Sequence, residues 1–560
     1  MKNKILTGVL AIGAMALAGC DDFLTSENTY QANQDSYFDS EEAVESAIYP
    51  LYNYVWSGFN EKFYYGIGDG RSNNITARWS DYIYPYTNFA ETSLSPGLSD
   101  AWGSFYSVVA QSNNAIINIR DKATGISDEF RTQSIAECRF MRGLAYWYIA
   151  SIWGKAIIYE NTAAMVNNTT VPANKRVDAM EFAIRDMEFA AKHLPATSRG
   201  EGRVNCYSAY GMLSRLYLSM AGLTTEGQYD GTNEATDFNR GTRNTYYLEL
   251  ARKAAKKCIE DGSFALVKNY GDLFSVEGTN NNSESVFQLQ WLKGATSAIG
   301  SGCANPMPAF FSWSTMVGEV NWGNATYASY DMVRAYDKKD RIRRHATIAT
   351  VGEFYPHLNK KNGGYTYNET ESGYDNKCNI VKYVIGKIDD NGQSYQQSSG
   401  LNTYMMRLPE VYFNYAEACM GNNDFLKDES VLQYMNLVRD RAGMPAITRL
   451  DYETLLYERR IELAFEGLYW YDLLRRSYYK ESEVVNYLNS QDRNAGYEWD
   501  ESEECQYKKT SDGTGVSTAT EARLVLPISD VDAGRDPLLN QEPVAYTFGE
   551  REVDEATLFD

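Results

Sequence analysis

Helical periodicity constrains the fold of this chain more than any other sequence feature. Phe140, Leu144, Tyr148 and Ile152 recur every four residues and form a broad apolar helix face. The same pattern, ended by Gly or Pro in several places, predicts further helices. They cover 179–194, 207–220, 248–259, 408–420, 431–442 and 452–476. Helix starts near 136 and 177, and near 205 and 246, lie about forty residues apart, which is typical of helical solenoids. We therefore predict a mostly α-helical fold in which TPR-like helical pairs form a superhelix.

The helical pattern is interrupted by a long stretch rich in Gly, Asn, Ser and Tyr. Within it, Phe287, Leu289 and Trp291 alternate with glutamines, which predicts a short strand. Strands are also predicted over 379–388 and 523–528. Inserts of this length are usually functional or disordered, and the aromatic content argues against disorder. The predicted organisation is a signal peptide (1–19), an N-terminal helical region (20–262), an irregular, partly β insert (263–404) and a C-terminal helical region (405–560).

The N-terminus carries targeting features. Residues 5–17 are apolar or small, follow two lysines, and are too few to cross a bilayer, which takes about 20. The sequence LAGC at 17–20 resembles the bacterial lipobox, which implies cleavage before Cys20 and lipid attachment to that residue. The two aspartates that follow resemble the export signal of some bacterial surface lipoproteins. We expect a lipid-anchored protein of the cell outer membrane that faces the exterior.

Charge and composition exclude several classes of function. The net charge of −21 argues against a nucleic-acid partner, which needs a basic surface. The eight cysteines are widely spaced without a C-x-x-C motif, and there are three histidines. Neither a zinc site nor a dense disulfide framework is expected from this pattern. We predict no cofactor and no catalytic metal; calcium binding is left open.

Nine segments, spread over almost the whole chain, carry a family resemblance. They are CDDFL (20–24), AWGSFYSVVAQSNNAI (101–116), AECRFMRGLAYWYIASIWG (136–154), NNSESVFQLQW (281–291), NWGNATYASYDMVRAYDKKDRIR (321–343), MRLPEVYFNYAEA (406–418), YERRIELAFEGLYWYDLLRR (457–476), LVLPISD (524–530) and NQEP (540–543). Together they resemble the SusD/RagB family of outer-membrane nutrient-binding lipoproteins. The resemblance implies a helical fold with TPR-like units and an irregular insert. It also implies capture of oligosaccharides without catalysis, and a TonB-dependent transporter barrel of the SusC type as partner.

Two aromatic stretches are candidate ligand platforms. Sugar rings present flat patches of C–H bonds that pack on aromatic faces, while their hydroxyl groups need polar neighbours. In the stretch 69–88, Tyr82, Tyr84 and Tyr86 alternate and would share one face if the chain were extended. The second stretch is 308–324. The candidate ligand-binding residues are Asp69, Arg78, Trp79, Tyr82 and Tyr84 from the first, and Phe311, Trp313 and Trp322 from the second. The competing interpretation is that these aromatic residues pack the insert onto the helices.

A glycosidase is a possible alternative, because Glu458, Glu462 and Glu466 repeat every four residues and paired carboxylates can cleave glycosidic bonds. Neighbouring arginines favour a structural ion-pair network instead, since ion pairing lowers the pKa of a carboxyl group, the wrong direction for a general acid. The segment GIGDG at 66–70 lacks the third glycine of a phosphate-binding loop. A peptide ligand and a purely protein-binding scaffold role stay open as alternatives to a glycan ligand.

Overall fold

The computed structural model describes residues 38–77, 82–274, 280–294, 302–317, 326–368, 378–386, 398–503, 505–555 and 557–559. The predicted signal peptide and Cys20 lie outside these residues. No helix within the described ranges has the length and apolarity that crossing a membrane requires.

Long helices dominate the described part of the chain. Those of eight or more residues are α1 (Glu41–Ile48), α2 (Leu98–Asp121), α3 (Asp128–Trp153), α4 (Arg176–His193), α5 (Cys206–Leu223), α6 (Thr245–Asp261), α7 (Leu408–Met420), α8 (Glu429–Arg441), α9 (Tyr452–Glu462) and α10 (Tyr469–Ser490). Shorter helices are Ser57–Asn60, Phe63–Tyr65, Tyr84–Thr87, Thr162–Met165, Met307–Phe311, Ser314–Val317, Tyr330–Ala335, Arg341–Thr347 and Asp530–Arg535. Local signals explain the bounds: the Ser127 hydroxyl caps α3, which ends at Gly154 with φ 70°.

Each long helix from α2 to α8 packs against the next one along the chain. This order includes α6 and α7, although the irregular insert separates them in sequence. The insert is therefore a branch from a continuous stack of helices. Successive packing of this kind confirms the prediction of a mostly α-helical fold with TPR-like helical pairs.

The strands are short and form two-stranded pairs. They are β1 (Ile75–Ala77), β2 (Lys155–Ala156), β3 (Asn174–Lys175), β4 (Ser285–Leu289), β5 (Thr326–Ala328), β6 (Phe354–Tyr355), β7 (Tyr365–Thr366), β8 (Thr403–Arg407), β9 (Phe425–Leu426), β10 (Leu450–Asp451), β11 (Gly496–Trp499) and β12 (Tyr507–Ser511). The antiparallel pair β4–β8 closes the base of the insert, with Leu289 opposite Thr403. The antiparallel pair β1–β5 joins the N-terminal part of the chain to the insert.

Two of the three predicted strands are wrong. In the described residues 378–386, Ile380 forms an isolated bridge to Ile348 without a continuing strand. Residues Glu521–Leu524 form a 3₁₀ helix, and the Leu526 N–H donates to the Ile152 carbonyl at the end of a helix. Residues 379–386 are buried throughout and turn at Tyr383 (φ 64°), whereas in the last segment Leu524, Leu526 and Ile528 are buried without forming a strand. The strand predicted at 287–291 is confirmed as β4, which begins and ends two residues before the predicted bounds.

The single helix predicted over 452–476 is also wrong, because the chain breaks between α9 and α10. Phe465 (φ 62°) and Gly467 (φ 69°) adopt left-handed backbone conformations there. The Gly467 backbone lies so close to Gly68 that a Cβ atom at Gly68 would sit 2.1 Å from the Gly467 carbonyl carbon. Only glycine fits this contact. The segment Gly66–Gly70 is a buried π-helical turn that meets the helix break, and not an exposed loop.

Candidate ligand-binding site

The β1–β5 pair joins the two chain segments that carry the candidate platforms. Ala77 at the end of β1 is the register partner of Thr326 at the start of β5. The first platform, 69–88, contains β1, and the second, 308–324, ends two positions before Thr326. The two platforms are therefore attached to adjacent strand ends. Arg78, Trp79 and Trp322 lie outside the described residues.

Lys62 provides a second link between the platforms. Its Nζ atom lies 3.6 Å from the ring centroid of Tyr82 and 5.3 Å from that of Phe310. An ammonium group this close to a ring face is attracted by its negative electrostatic potential. The ammonium also pairs with the carboxylate of Glu61. Lys62 thus holds the Tyr82 ring beside the second platform, and Tyr82 keeps 44% of its surface exposed.

A cavity of about 440 Å³ opens beside Tyr82. Tyr54 and Tyr82 supply aromatic walls, and both are exposed. The polar part of the wall consists of Ser57, Glu61, Lys62, Asp100, Ser104 and Ser107. We call this the Tyr82 cavity. Aromatic faces with hydroxyl and carboxylate groups at their edges can bind a molecule that has both apolar faces and many hydroxyl groups.

Tyr84 and Tyr86 do not extend this surface. Tyr84–Thr87 is a short helix, favoured by Pro85 in its first turn, so the alternating arrangement on one face is wrong. Tyr86 is buried, and its hydroxyl group donates to the Pro96 carbonyl oxygen at 2.6 Å. Tyr84 is half-buried against the core, and so is Trp313 of the second platform.

Asp69 and Phe311 are corrections to the predicted site, because both side chains are fully buried. The Asp69 carboxylate accepts hydrogen bonds from Asn74 Nδ2 at 2.9 Å and from the Phe465 and Gly467 backbone N–H groups at 2.8 Å. The Phe311 ring packs 4.9 Å from the ring of Tyr65. Asp69 thereby joins the segment before β1 to the α9–α10 break, and Phe311 belongs to the core. Residue types in a loop pattern do not reveal this, since burial depends on the distant α9–α10 break.

Asp69 should give the stability of the protein a specific pH dependence. Burial raises its pKa from 3.8 to about 6, although its hydrogen bonds act in the opposite direction. Because the pKa is higher in the folded state, the protonated carboxyl group stabilises the fold. This stabilisation is complete when the pH is below the unfolded-state pKa of 3.8, and it is lost as the pH rises through the folded-state pKa of about 6. Relative to wild type, Asp69→Asn should therefore be more destabilising at about pH 5.5 than at about pH 7.5, by about 1 kcal/mol. Urea unfolding of both proteins at both pH values measures the difference. A destabilisation that is constant, or larger at the higher pH, would contradict the assignment.

The sequence patterns did not identify Tyr54, Lys62 and Asp100, which line the Tyr82 cavity. Lys62 and Tyr54 lie in a run of short helical turns before β1, and Asp100 lies in the first turn of α2. The available signal was the cluster of aromatic and polar residues at 52–62, YNYVWSGFNEK. Its proximity to Tyr82 results from tertiary packing.

The carboxylates considered for catalysis are sealed in the interior. Arg407 Nη1 lies 2.6 Å from Glu462 Oε1 and 2.7 Å from Glu284 Oε1, and Arg407 Nε lies 2.7 Å from Glu466 Oε2. Burial alone would raise the pKa of Glu462, but three surrounding guanidinium groups lower it to about 2. Glu462 and Glu466 are at most 1% exposed, so no substrate reaches them. The ion-pair network interpretation is confirmed. Among the described residues, no three His, Cys, Asp or Glu side chains are close enough to share a metal ion.

Comparison with known proteins identifies the fold. The SusD family model matches residues 266–544, and a model described as starch-binding, associating with the outer membrane, matches residues 22–218. A SusD-like protein of Bacteroides ovatus is 35% identical, over 98% of this chain and 99% of its own length. The starch-binding protein SusD of Bacteroides thetaiotaomicron is 22% identical, over 63% of this chain and 66% of its own length.

A solved structure supports the same assignment. This crystal structure, of a protein with xylogluco-oligosaccharide, is 33% identical in sequence with a TM-score of 0.80. The superposition covers 91% of this chain and 100% of the other. Together with the continuous helical stack and its closed insert, these matches show that the chain belongs to the SusD family of starch- and glycan-binding proteins.

Proposed function

We propose that this protein is a surface lipoprotein that binds oligosaccharides and delivers them to a TonB-dependent outer-membrane transporter. The observation that carries the proposal is the Tyr82 cavity, with two exposed tyrosine rings and a polar edge. Sugar rings pack their C–H faces on such rings, and the hydroxyl groups hydrogen-bond to the serine, carboxylate and ammonium groups. A volume of about 440 Å³ lies in the usual range for small-molecule sites.

The ligand class follows from charge and from the relatives. The ammonium group of Lys62 is neutralised by Glu61, which leaves the exposed carboxylate of Asp100 as the remaining charge on the cavity wall. Such a wall suits a neutral oligosaccharide better than an anionic one. The family is described as starch-binding, and a relative at 33% identity has been crystallised with xylogluco-oligosaccharide, a neutral glycan.

Binding without cleavage is part of the proposal. The paired glutamates that could support glycosidase chemistry, Glu462 and Glu466, are buried in ion pairs. The protein would hold the glycan by stacking and hydrogen bonds until the transporter takes it. The proposed partner is a barrel of the SusC type, over which the lipoprotein sits as a lid.

A binding screen tests the proposed function. Purified protein beginning at residue 21 is applied to a glycan array and to a peptide array, and each bound glycan is analysed by chromatography before and after incubation. We expect binding to one class of neutral glycan, with no new products. Binding to peptides without glycans would replace the ligand class, and shortened glycan products would overturn the non-catalytic assignment.

The anchor is tested at Cys20. We expect Cys20→Ala to abolish labelling with palmitate and to move the protein from the membrane fraction to the soluble fraction, because acyl chains supply the membrane affinity. Cys303→Ala is the matched control, since it removes a half-buried cysteine of the insert and leaves the lipobox intact. Membrane retention of unlabelled Cys20→Ala protein would contradict the lipid anchor.

A further inference from the structure

A second aromatic cavity lies on the C-terminal helices. Four tyrosines line this cavity of about 410 Å³ where α9 and α10 diverge: Tyr452, Tyr457, Tyr469 and Tyr487. Leu456 and Val484 add apolar wall between them. None of its lining residues belongs to the Tyr82 cavity. A volume of about 410 Å³ lies in the usual range for small-molecule sites.

The aromatic cavity continues into a polar one. A neighbouring cavity of about 450 Å³ shares four wall residues with it: Tyr452, Glu453, Arg476 and Glu483. The remainder of its wall includes the polar side chains of Asn422, Asn423, Asp424 and Asp451. The two cavities therefore form one groove with an aromatic lobe and a polar lobe. We call it the α9–α10 groove.

The boundary between the lobes is a stacked pair. The guanidinium carbon of Arg476 lies 3.5 Å from the ring centroid of Tyr452. Arg476 donates two hydrogen bonds to Glu483 Oε1, at 3.0 and 2.6 Å, and one to the Tyr479 hydroxyl group at 3.1 Å. These contacts neutralise the guanidinium group and fix its plane. The guanidinium group therefore covers one face of the Tyr452 ring and holds the ring in place at the boundary between the lobes.

The charge of the aromatic lobe is balanced. Its wall carries two arginines, Arg460 and Arg476, and two glutamates, Glu453 and Glu483. Arg460 Nε is occupied by a hydrogen bond to Asn74 Oδ1 at 2.8 Å. The Tyr469 and Tyr487 hydroxyl groups bond to each other at 2.9 Å. A lobe with no net charge and satisfied cations favours a neutral ligand over an anionic one.

We propose that the α9–α10 groove is a second carbohydrate-binding site, which takes a neutral oligosaccharide. The ligand class rests on the proposed function, whereas the groove is independent of the Tyr82 cavity. Sugar rings stack on the half-buried tyrosines of the aromatic lobe, Tyr452, Tyr457 and Tyr487, whereas Tyr469 is buried behind them. The sugar hydroxyl groups bond to Glu453 and to the side-chain amides of the polar lobe. Two sites on one body let a polysaccharide chain bind twice, so that the second contact forms at a high effective concentration.

A blocking variant tests the groove without disturbing the core. Glu453 is exposed in the first turn of α9 and lines both lobes, so Glu453→Trp places a bulky ring at the entrance. Glu429→Trp is the matched control, because Glu429 is exposed in the first turn of α8 and lines neither lobe. Tyr457→Ala is a second variant that removes one wall ring. Thermal melting of each variant checks that it is folded. The probes are xyloglucan heptasaccharide and cello-, laminari- and maltohexaose, titrated by calorimetry into wild type, Tyr82→Ala and these variants.

For a probe that binds, we expect two sites in wild type and in Glu429→Trp, and one site in Tyr82→Ala. One site should also remain in Glu453→Trp and in Tyr457→Ala, with the other weakened about tenfold or more. One wild-type site that Tyr82→Ala abolishes and Glu453→Trp leaves intact would overturn the second site while supporting the proposed function. One wild-type site lost only in Glu453→Trp would support the groove and overturn the Tyr82 assignment. Absence of binding by all four probes would overturn both.

Discussion

Arg407→Ala should destabilise the protein by roughly 3 to 5 kcal/mol, the range expected when one partner of a buried ion-pair network is removed. The Arg407 side chain is 1% exposed and contacts Glu284, Glu462 and Glu466 at 2.6 to 2.7 Å. Removing it leaves three buried carboxylates with fewer partners. The network joins β8 at the base of the insert to α9 and to the α9–α10 break, so its loss should loosen the join between insert and helices.

The measurement is urea unfolding of protein beginning at residue 21, for wild type and for two arginine variants. The control is Arg252→Ala, because Arg252 pairs with Glu249 in the same helix and both side chains are one-third to one-half exposed. Such a surface pair contributes about 1 kcal/mol or less. Similar small losses for both variants would contradict a stabilising role of the buried network. If Arg407→Ala does not accumulate as folded protein, Glu466→Gln, which keeps the volume and removes one charge, measures the same network.

Tyr82→Ala should weaken glycan binding by about one to two orders of magnitude. The Tyr82 ring is the exposed aromatic wall that Lys62 holds beside the second platform. Burying an aromatic face against a ligand contributes about 1.5 to 3 kcal/mol, and each 1.4 kcal/mol is a factor of ten in affinity. Calorimetric titration with the glycan found in the screen measures the loss at this site. Folding stability should change little, since Tyr82 is 44% exposed.

Tyr49→Ala is the matched control for this prediction. Tyr49 is 55% exposed and lies outside the Tyr82 cavity. Its replacement should change affinity less than about twofold, because no stacking contact is lost. Equal affinities of Tyr82→Ala and wild type at every site would show that the glycan binds elsewhere.

Local sequence patterns predicted the parts of the fold that local interactions determine. The helix Leu408–Met420 was predicted with its observed ends, and the apolar alternation at 287–291 predicted β4. The break between α9 and α10 was missed, because it is stabilised by the carboxylate of Asp69, 396 positions away from Phe465. The residue pattern of 452–476 does not reveal this contact with Asp69.

The candidate site depends on tertiary packing more than on local pattern. Aromatic residues in polar, glycine-rich stretches pointed to two platforms, and the β1–β5 pair joins their strand ends. The stretches did not distinguish Tyr82, which is exposed, from Phe311, which is buried. Lys62 was missed because its contact with Tyr82 is a tertiary one, made by short helical turns without a strong pattern of their own.

The most direct test of the central claim is a crystal structure of the protein in complex with the oligosaccharide that the screen identifies. We expect an intact glycan with a sugar ring packed on Tyr82 and hydroxyl groups bonded along the polar wall of the Tyr82 cavity, whether or not the α9–α10 groove is also filled. An ordered glycan elsewhere, with the Tyr82 cavity free of sugar, would contradict it.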